Sequence, residues 1–133
     1  MRYFICALDM VQMGIPADRA ERIIPVTRVQ TALFETEDHN VSISLPVLFK
    51  QKDPAAPHGV VLKKTEEQIS SADTVKTILL TPRIDIDLEI PEENIHRLPR
   101  AFAGLFAYFS GGYFNGQNLI LILDLKKMME GIR

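Results

Sequence analysis

Apolar side chains recur at every second position in several short stretches of this chain, a period that puts them on one face of a β-strand. The clearest case is Ile84, Ile86, Leu88 and Ile90, which alternate with Asp85, Asp87 and Glu89. Val41, Ile43 and Leu45 alternate with Ser42 and Ser44. Val47 continues that set past Pro46, which predicts an edge strand or a bulge at the proline. Arg2 to Leu8 is rich in aromatic and β-branched residues, and Val11 to Ile15 follows the turn residue Asp9, so the two are expected to form a hairpin. Val26 to Glu35, Gly59 to Lys63 and Val75 to Leu80 add further strands, the last ending in a turn or kink at Thr81-Pro82-Arg83. Ala103 to Phe114 is strand-like but interrupted by Gly111-Gly112, which predicts a bulge or tight bend. Asn115-Gly116 is a strong hairpin signal, because both residues tolerate positive φ. Leu119 to Leu123 is apolar on both faces, as a central strand is.

Two segments break this pattern. Ile15-Pro16 opens a predicted helix over Ala17 to Ile24, since proline fits a first turn and Pro25 stops the run. Asp124 caps a second short helix, Leu125 to Met129, ended by Gly131. About nine or ten short strands with two short helices define an all-β, mostly antiparallel domain, a sandwich or barrels.

A length of 133 residues suits a single domain, or two small lobes sharing a core. Hydrophobic residues make up 47% and charged residues 24%, which is globular composition and not that of a disordered chain. The first half carries eight residues of each sign and the second seven basic and nine acidic, for a net charge of −2, with no basic face for nucleic acid or anionic lipid. The longest apolar run, Ala101 to Phe109, falls far short of the roughly 20 residues of a membrane span, so no direct membrane insertion is expected. The N-terminus runs straight into strand sequence without a signal-peptide cleavage region, and Cys6 is the single cysteine. Both features predict a cytoplasmic protein.

Candidate chemistry is sparse. His39, His58 and His96 lie in three separate turns, without the converging partners a zinc site needs, and they read as exposed loop residues. Asp85, Asp87 and Glu89 read as the wet face of a strand. Tyr108 stands where a nucleophile elbow built on Ser110 needs glycine, and Ser110-Gly111-Gly112 feeds a strand where a phosphate loop feeds a helix. Cys6 alternates within a strand and reads as an inert buried thiol. No catalytic set, metal site or cofactor emerges. Seven phenylalanines in a chain without tryptophan provide for a core and a contact patch, a division the sequence leaves open.

The order of segments resembles the CheW-like domain family, the module of the bacterial chemotaxis coupling protein and of the regulatory region of its histidine kinase. The resemblance rests on the opening hairpin running into Ile15-Pro16, on Arg22-Ile23-Ile24 followed by Val26-Thr27-Arg28-Val29, and on Leu45-Pro46-Val47-Leu48. Its most specific part is Gly112-Tyr113-Phe114-Asn115-Gly116 leading to Leu119-Ile120-Leu121-Ile122-Leu123-Asp124 and Lys126-Lys127-Met128-Met129. It implies one domain over residues 1–133, built as two small SH3-like five-stranded β-barrel subdomains that share an apolar interface. It also implies a non-catalytic adaptor that couples the cytoplasmic tip of a chemoreceptor to a histidine kinase regulatory domain, with no enzymatic activity and no cofactor; self-association stays open.

By position, Ala20 and Arg22 on the first helix fall where groove contacts occur, with Ile23 behind them in the core. Val47 and Phe49 belong to the aliphatic-proline-aliphatic stretch and complete the expected partner-binding set. The chain departs from the family at Phe49, where an aspartate is usual, and in two further places. Glu37-Asp38-His39-Asn40 stands where an asparagine-leucine-arginine-glycine turn is usual, and Arg22 replaces an acidic residue. These departures support a second reading, a β-barrel module reassigned to another protein or peptide, while an enzyme using Asp85 and Asp87 is the third.

Overall fold

The computed structural model of the chain describes residues 1–9, 11–26, 33–35, 41–53, 55–64, 76–98 and 107–132, with backbone alone at 33–35 and 132. In chain order the first strands are β1 (Arg2–Ala7), β2 (Gln12–Pro16), β3 (Ala20–Pro25), β4 (Leu33–Glu35) and β5 (Val41–Ser44). Helix α1 (Leu45–Leu48) and strands β6 (His58–Leu62), β7 (Thr77–Thr81) and β8 (Ile84–Glu89) follow. Strands β9 (Phe109–Asn115) and β10 (Asn118–Leu123) and helix α2 (Leu125–Ile132) complete the set. The fold is all-β and mostly antiparallel with two short helices, as the alternation predicts. It divides into two compact units, Met1–Ala17 with Asp85–Arg133, and Asp18–Ile84.

The first unit is a five-stranded sheet in the order β8-β1-β2-β10-β9. The predicted hairpin pairs Phe4 with Ile15 and Cys6 with Met13. Strand β10 runs parallel to β2 and antiparallel to β9, so it is interior to the sheet, and Ile120 to Leu123 are buried on both faces. Tyr3, Ile5, Ile90, Ile120 and Ile122 form one continuous core cluster. Asp124 caps α2 through its Oδ1, which accepts from the Lys127 N–H at 3.1 Å, and Met128 is fully buried. Burying a side chain of this kind stabilises by about 1.5–3 kcal/mol.

Two glycine predictions shift by one residue. The β9–β10 turn centres on Gly116 and Gln117, and of its residues Gly116 alone has positive φ, +65°. Glycine at the first central position serves a two-residue hairpin because no Cβ opposes the left-handed backbone. The register irregularity falls opposite Ile122 and Leu123, which leaves Ser110 without a ladder partner; Gly111 and Gly112 stay in register. Gly111 is required by a neighbour instead: a Cβ there would lie 2.7 Å from the His96 carbonyl oxygen.

The second unit is a five-stranded sheet in the order β3-β6-β7-β5-β4, with β5 and β7 parallel and the other pairs antiparallel. Three expectations are corrected here. Ala17 to Ile24 is not a helix: after a 3-10 turn at Ala17–Arg19 the chain enters β3 and pairs with β6. An eight-residue helix is marginal alone, and the β-branched Ile23 and Ile24 fit a strand that finds a backbone partner. The strand through Val41 does not continue to Val47. Ser44 caps α1, with the Val47 N–H donating to its hydroxyl at 3.4 Å, and Pro46 occupies the first turn, where its missing N–H costs nothing. Strand β5 is interior, flanked by β4 and β7, because its proline lies beyond the strand end. The run Val26–Glu35 is described as a strand only over β4, and the turn 36–40 lies outside the described residues.

Thr81-Pro82-Arg83 is a crossover, since β7 belongs to one sheet and β8 to the other. On β8 the charged face is exposed as expected, but the apolar face is buried only toward its end, at Ile90, and Ile86 is exposed.

Candidate docking edge on the second unit

One row of paired backbone positions crosses the second sheet. The registers align Ile23 with Val60, Val60 with Leu79, Leu79 with Ile43 and Ile43 with Leu33. Residues opposite one another across strands share a face. Ile43, Val60 and Leu79 are fully buried, whereas Ile23 ends the row at β3 and is 40% exposed. Among the described residues β3 is an edge strand, so no further strand covers that end. The expectation that Ile23 lies in the core is therefore corrected: it shares a face with the buried Val60, but at the open margin.

A bulge brings a second predicted residue beside it. Ala20 pairs with Leu62 and Arg22 with Val61, which leaves Glu21 as the extra residue. Leu62 and Val60 lie on one face, so the bulge puts Ala20 on the same face as Ile23. Ala20 is half-buried and small, while Arg22 is exposed on the opposite face. The Glu21 carboxylate meets the Lys76 Nζ at 3.0 Å, and the hydrogen bond from that ammonium holds its pKa below the usual carboxylate value. The Arg19 Nε, at the entry to β3, is buried without a hydrogen-bond partner.

Val47 and Phe49 are elsewhere in this unit. Helix α1 follows β5, and β6 and β7 separate β5 from β3 in the sheet. Val47 is 37% exposed on α1, whereas Phe49 caps the helix from the core at 6% exposure and offers its ring to the interior. Ala20 and Ile23 thus form one group, Arg22 lies across the strand from them, and Val47 stands apart. The periodicity of Arg22-Ile23-Ile24 gave no sign of an edge, because edge position is decided by a partner about forty residues away.

The remaining candidates are structural. Burial pushes the Cys6 thiol up to about 12, with the Asp85 charge adding to the shift. Arg2 binds Asp87 through two nitrogens, the Nε at 3.0 Å from Oδ1, and the Met1 amino group lies 2.6 Å from Glu89 Oε1. The acidic strand face is therefore partly neutralised by β1. The Ser110 hydroxyl donates to the Ile122 carbonyl at 3.4 Å. His96 is joined to Gly112 through two backbone hydrogen bonds of 2.8 Å. His58 is not an exposed loop residue: it opens β6, is half-buried, and its ring accepts a backbone N–H. His39 lies outside the described residues, among which no group of three His, Cys, Asp or Glu could hold a metal ion. No described helix is long and apolar enough to cross a membrane. Of the phenylalanines, Phe49 and Phe109 are core, and Phe114 is 63% exposed beside the β9–β10 turn.

No family model matches the chain, and no curated protein matches it. Among solved structures it is similar to the scaffolding protein TtCheW from Thermoanaerobacter tengcongensis, with a TM-score of 0.68. That likeness covers 93% of this chain and 84% of the other at 11% sequence identity. It is a likeness of fold: the chain has a CheW-like fold.

Proposed function

We propose that the chain is a cytoplasmic, non-catalytic adaptor of chemotaxis-type signalling that couples a chemoreceptor-like helix to a histidine kinase regulatory domain. Residues 1–133 then make up one CheW-like domain with the two units as its subdomains. The observation that carries the reading is the fold, shared over nearly the whole length with a protein that is a scaffold. The open row end at Ile23 supports it, since an edge strand with an exposed aliphatic residue is a surface to which a partner adds.

Ala20, Arg22, Ile23 and Val47 are the proposed contact residues. The small Ala20 leaves room for a partner's side chain, Ile23 provides the apolar contact and Arg22 the charge. Burying the exposed part of Ile23 contributes about 1 kcal/mol, roughly a fivefold change in affinity. Arg22 selects partners with acidic or neutral rims and disfavours basic ones.

Calorimetric titration of the purified chain with the kinase regulatory domain and the receptor signalling fragment of its own organism tests this. Saturable binding to either, on the order of micromolar, is expected. No heat from either partner at concentrations near a millimolar overturns the proposal. The exchanged charge at Arg22 and the altered turn Glu37 to Asn40 favour a second reading, a β-barrel module that serves another protein or peptide. A gene neighbourhood without chemotaxis components is the outcome that favours it.

A further inference from the structure

We propose that His58 is a proton-sensitive latch on the crossover that carries the chain from β7 to β8. This inference does not depend on the proposed adaptor role. His58 grips the Thr81–Ile84 turn at both ends. Its carbonyl accepts the Thr81 hydroxyl at 3.4 Å, and its ring Nδ1 accepts the Ile84 N–H at 3.1 Å. Thr81 is fully buried, and Pro82 between them has no N–H to contribute. The Ile84 amide is the donor on which β8 begins.

An imidazole accepts through Nδ1 only when neutral, with its proton on Nε2; the imidazolium carries N–H groups at both nitrogens. Protonation therefore puts one donor against another, and the bond to Ile84 is lost. The latch is closed while the ring is neutral and released when it takes up a proton.

The residues beside His58 on its neighbouring strands are Pro25 on β3 and Thr81 on β7, and neither is ionisable. β7 carries no charged residue. The charges near the turn are Arg83 before Ile84 and Asp85 after it. Farther along the same sheet are Glu21 and Arg22 on β3, with Glu21 held by Lys76. None of the groups named has a hydrogen bond to the imidazole, so release depends on the ring's own protonation.

Amide hydrogen exchange read by NMR on the full chain, corrected for the intrinsic rate, tests the latch. Between pH 8 and pH 5 the protection of Ile84 is expected to fall about tenfold relative to Val60 and Leu79, the size of one hydrogen bond. His58→Asn, whose Oδ1 replaces Nδ1 as an acceptor that does not titrate, keeps that protection at both values. His58→Leu lacks it at both. Should the leucine variant not fold, the ring ¹⁵N shifts of the unaltered chain decide, and the Nε2–H tautomer is expected at pH 8. Ile84 protection that follows Val60 and Leu79 across the range, or an Nδ1–H tautomer at pH 8, overturns the proposal.

Discussion

Replacing Gly111 by alanine is the sharpest test of how the first unit is held together. The added Cβ would meet the His96 carbonyl oxygen at 2.7 Å and the Ile95 Cγ2 at 2.8 Å. A side-chain tip could swing away, but a carbonyl fixed in a ladder cannot. His96 is bound to Gly112 by two backbone hydrogen bonds of 2.8 Å, and Ile95 packs on the cluster of Tyr3, Ile5, Ile90, Ile120 and Ile122. Making room means moving residues 95–96 outward. That weakens two hydrogen bonds worth about 1 kcal/mol each, and loosened packing of Ile95 brings the total to about 2–3 kcal/mol. Tyr3, Tyr108 and Tyr113 all belong to this unit, so in a chain without tryptophan urea unfolding followed by intrinsic fluorescence reads it directly. Gly116→Ala is the control. Nothing lies within 4 Å of its Cβ, and the positive φ alone costs about 1 kcal/mol. Equal losses for the two variants, or less than about 0.5 kcal/mol for Gly111→Ala, would refute the argument that the carbonyl is fixed.

Lys50 has φ 54° where α1 ends, with its N–H donating to Val47 O and that of Gln51 to Pro46 O, so Lys50→Gly should stabilise the second unit by about 1 kcal/mol in thermal unfolding. The Cys6 thiol, raised by burial to about 12, should stay unreactive toward a disulfide reagent at pH 8 and react fully once urea unfolds the chain. The Asp87 carboxyl, held below its ordinary value chiefly by the Arg2 hydrogen bond, adds stability that is present above about pH 4 and lost as pH falls through its lower folded value. Asp87→Asn should therefore lower stability at neutral pH and leave the strongly acid end nearly unchanged, which flattens the acid limb of a stability-against-pH profile.

Local period carried most of the strands. The β1–β2 and β9–β10 hairpins pair residues a few positions apart, and their turn residues and alternation were sufficient to find them. The parallel pairs β2–β10 and β5–β7 were not legible, because they join segments separated by dozens of residues whose alternation names no partner. Strand β3 was misread for the same reason: Pro16 and the acidic residues near it fit a helical turn, and only the distant β6 decides the outcome. For α1 a signal was present, since Ser44 before Leu45-Pro46 is a cap followed by a first-turn proline, but the alternation from Val41 hid it. The docking residues were nameable only by resemblance. Their grouping depends on the extra residue at Glu21, which moves Ala20 to the face of Ile23.

Backbone amide shifts of the chain, followed by NMR as kinase regulatory domain or receptor fragment is added, test the adaptor account most directly. The account predicts perturbations concentrated at Ala20 to Ile24 and around Val47. Saturating shifts confined to residues of the first unit, with β3 and α1 unmoved, would contradict it.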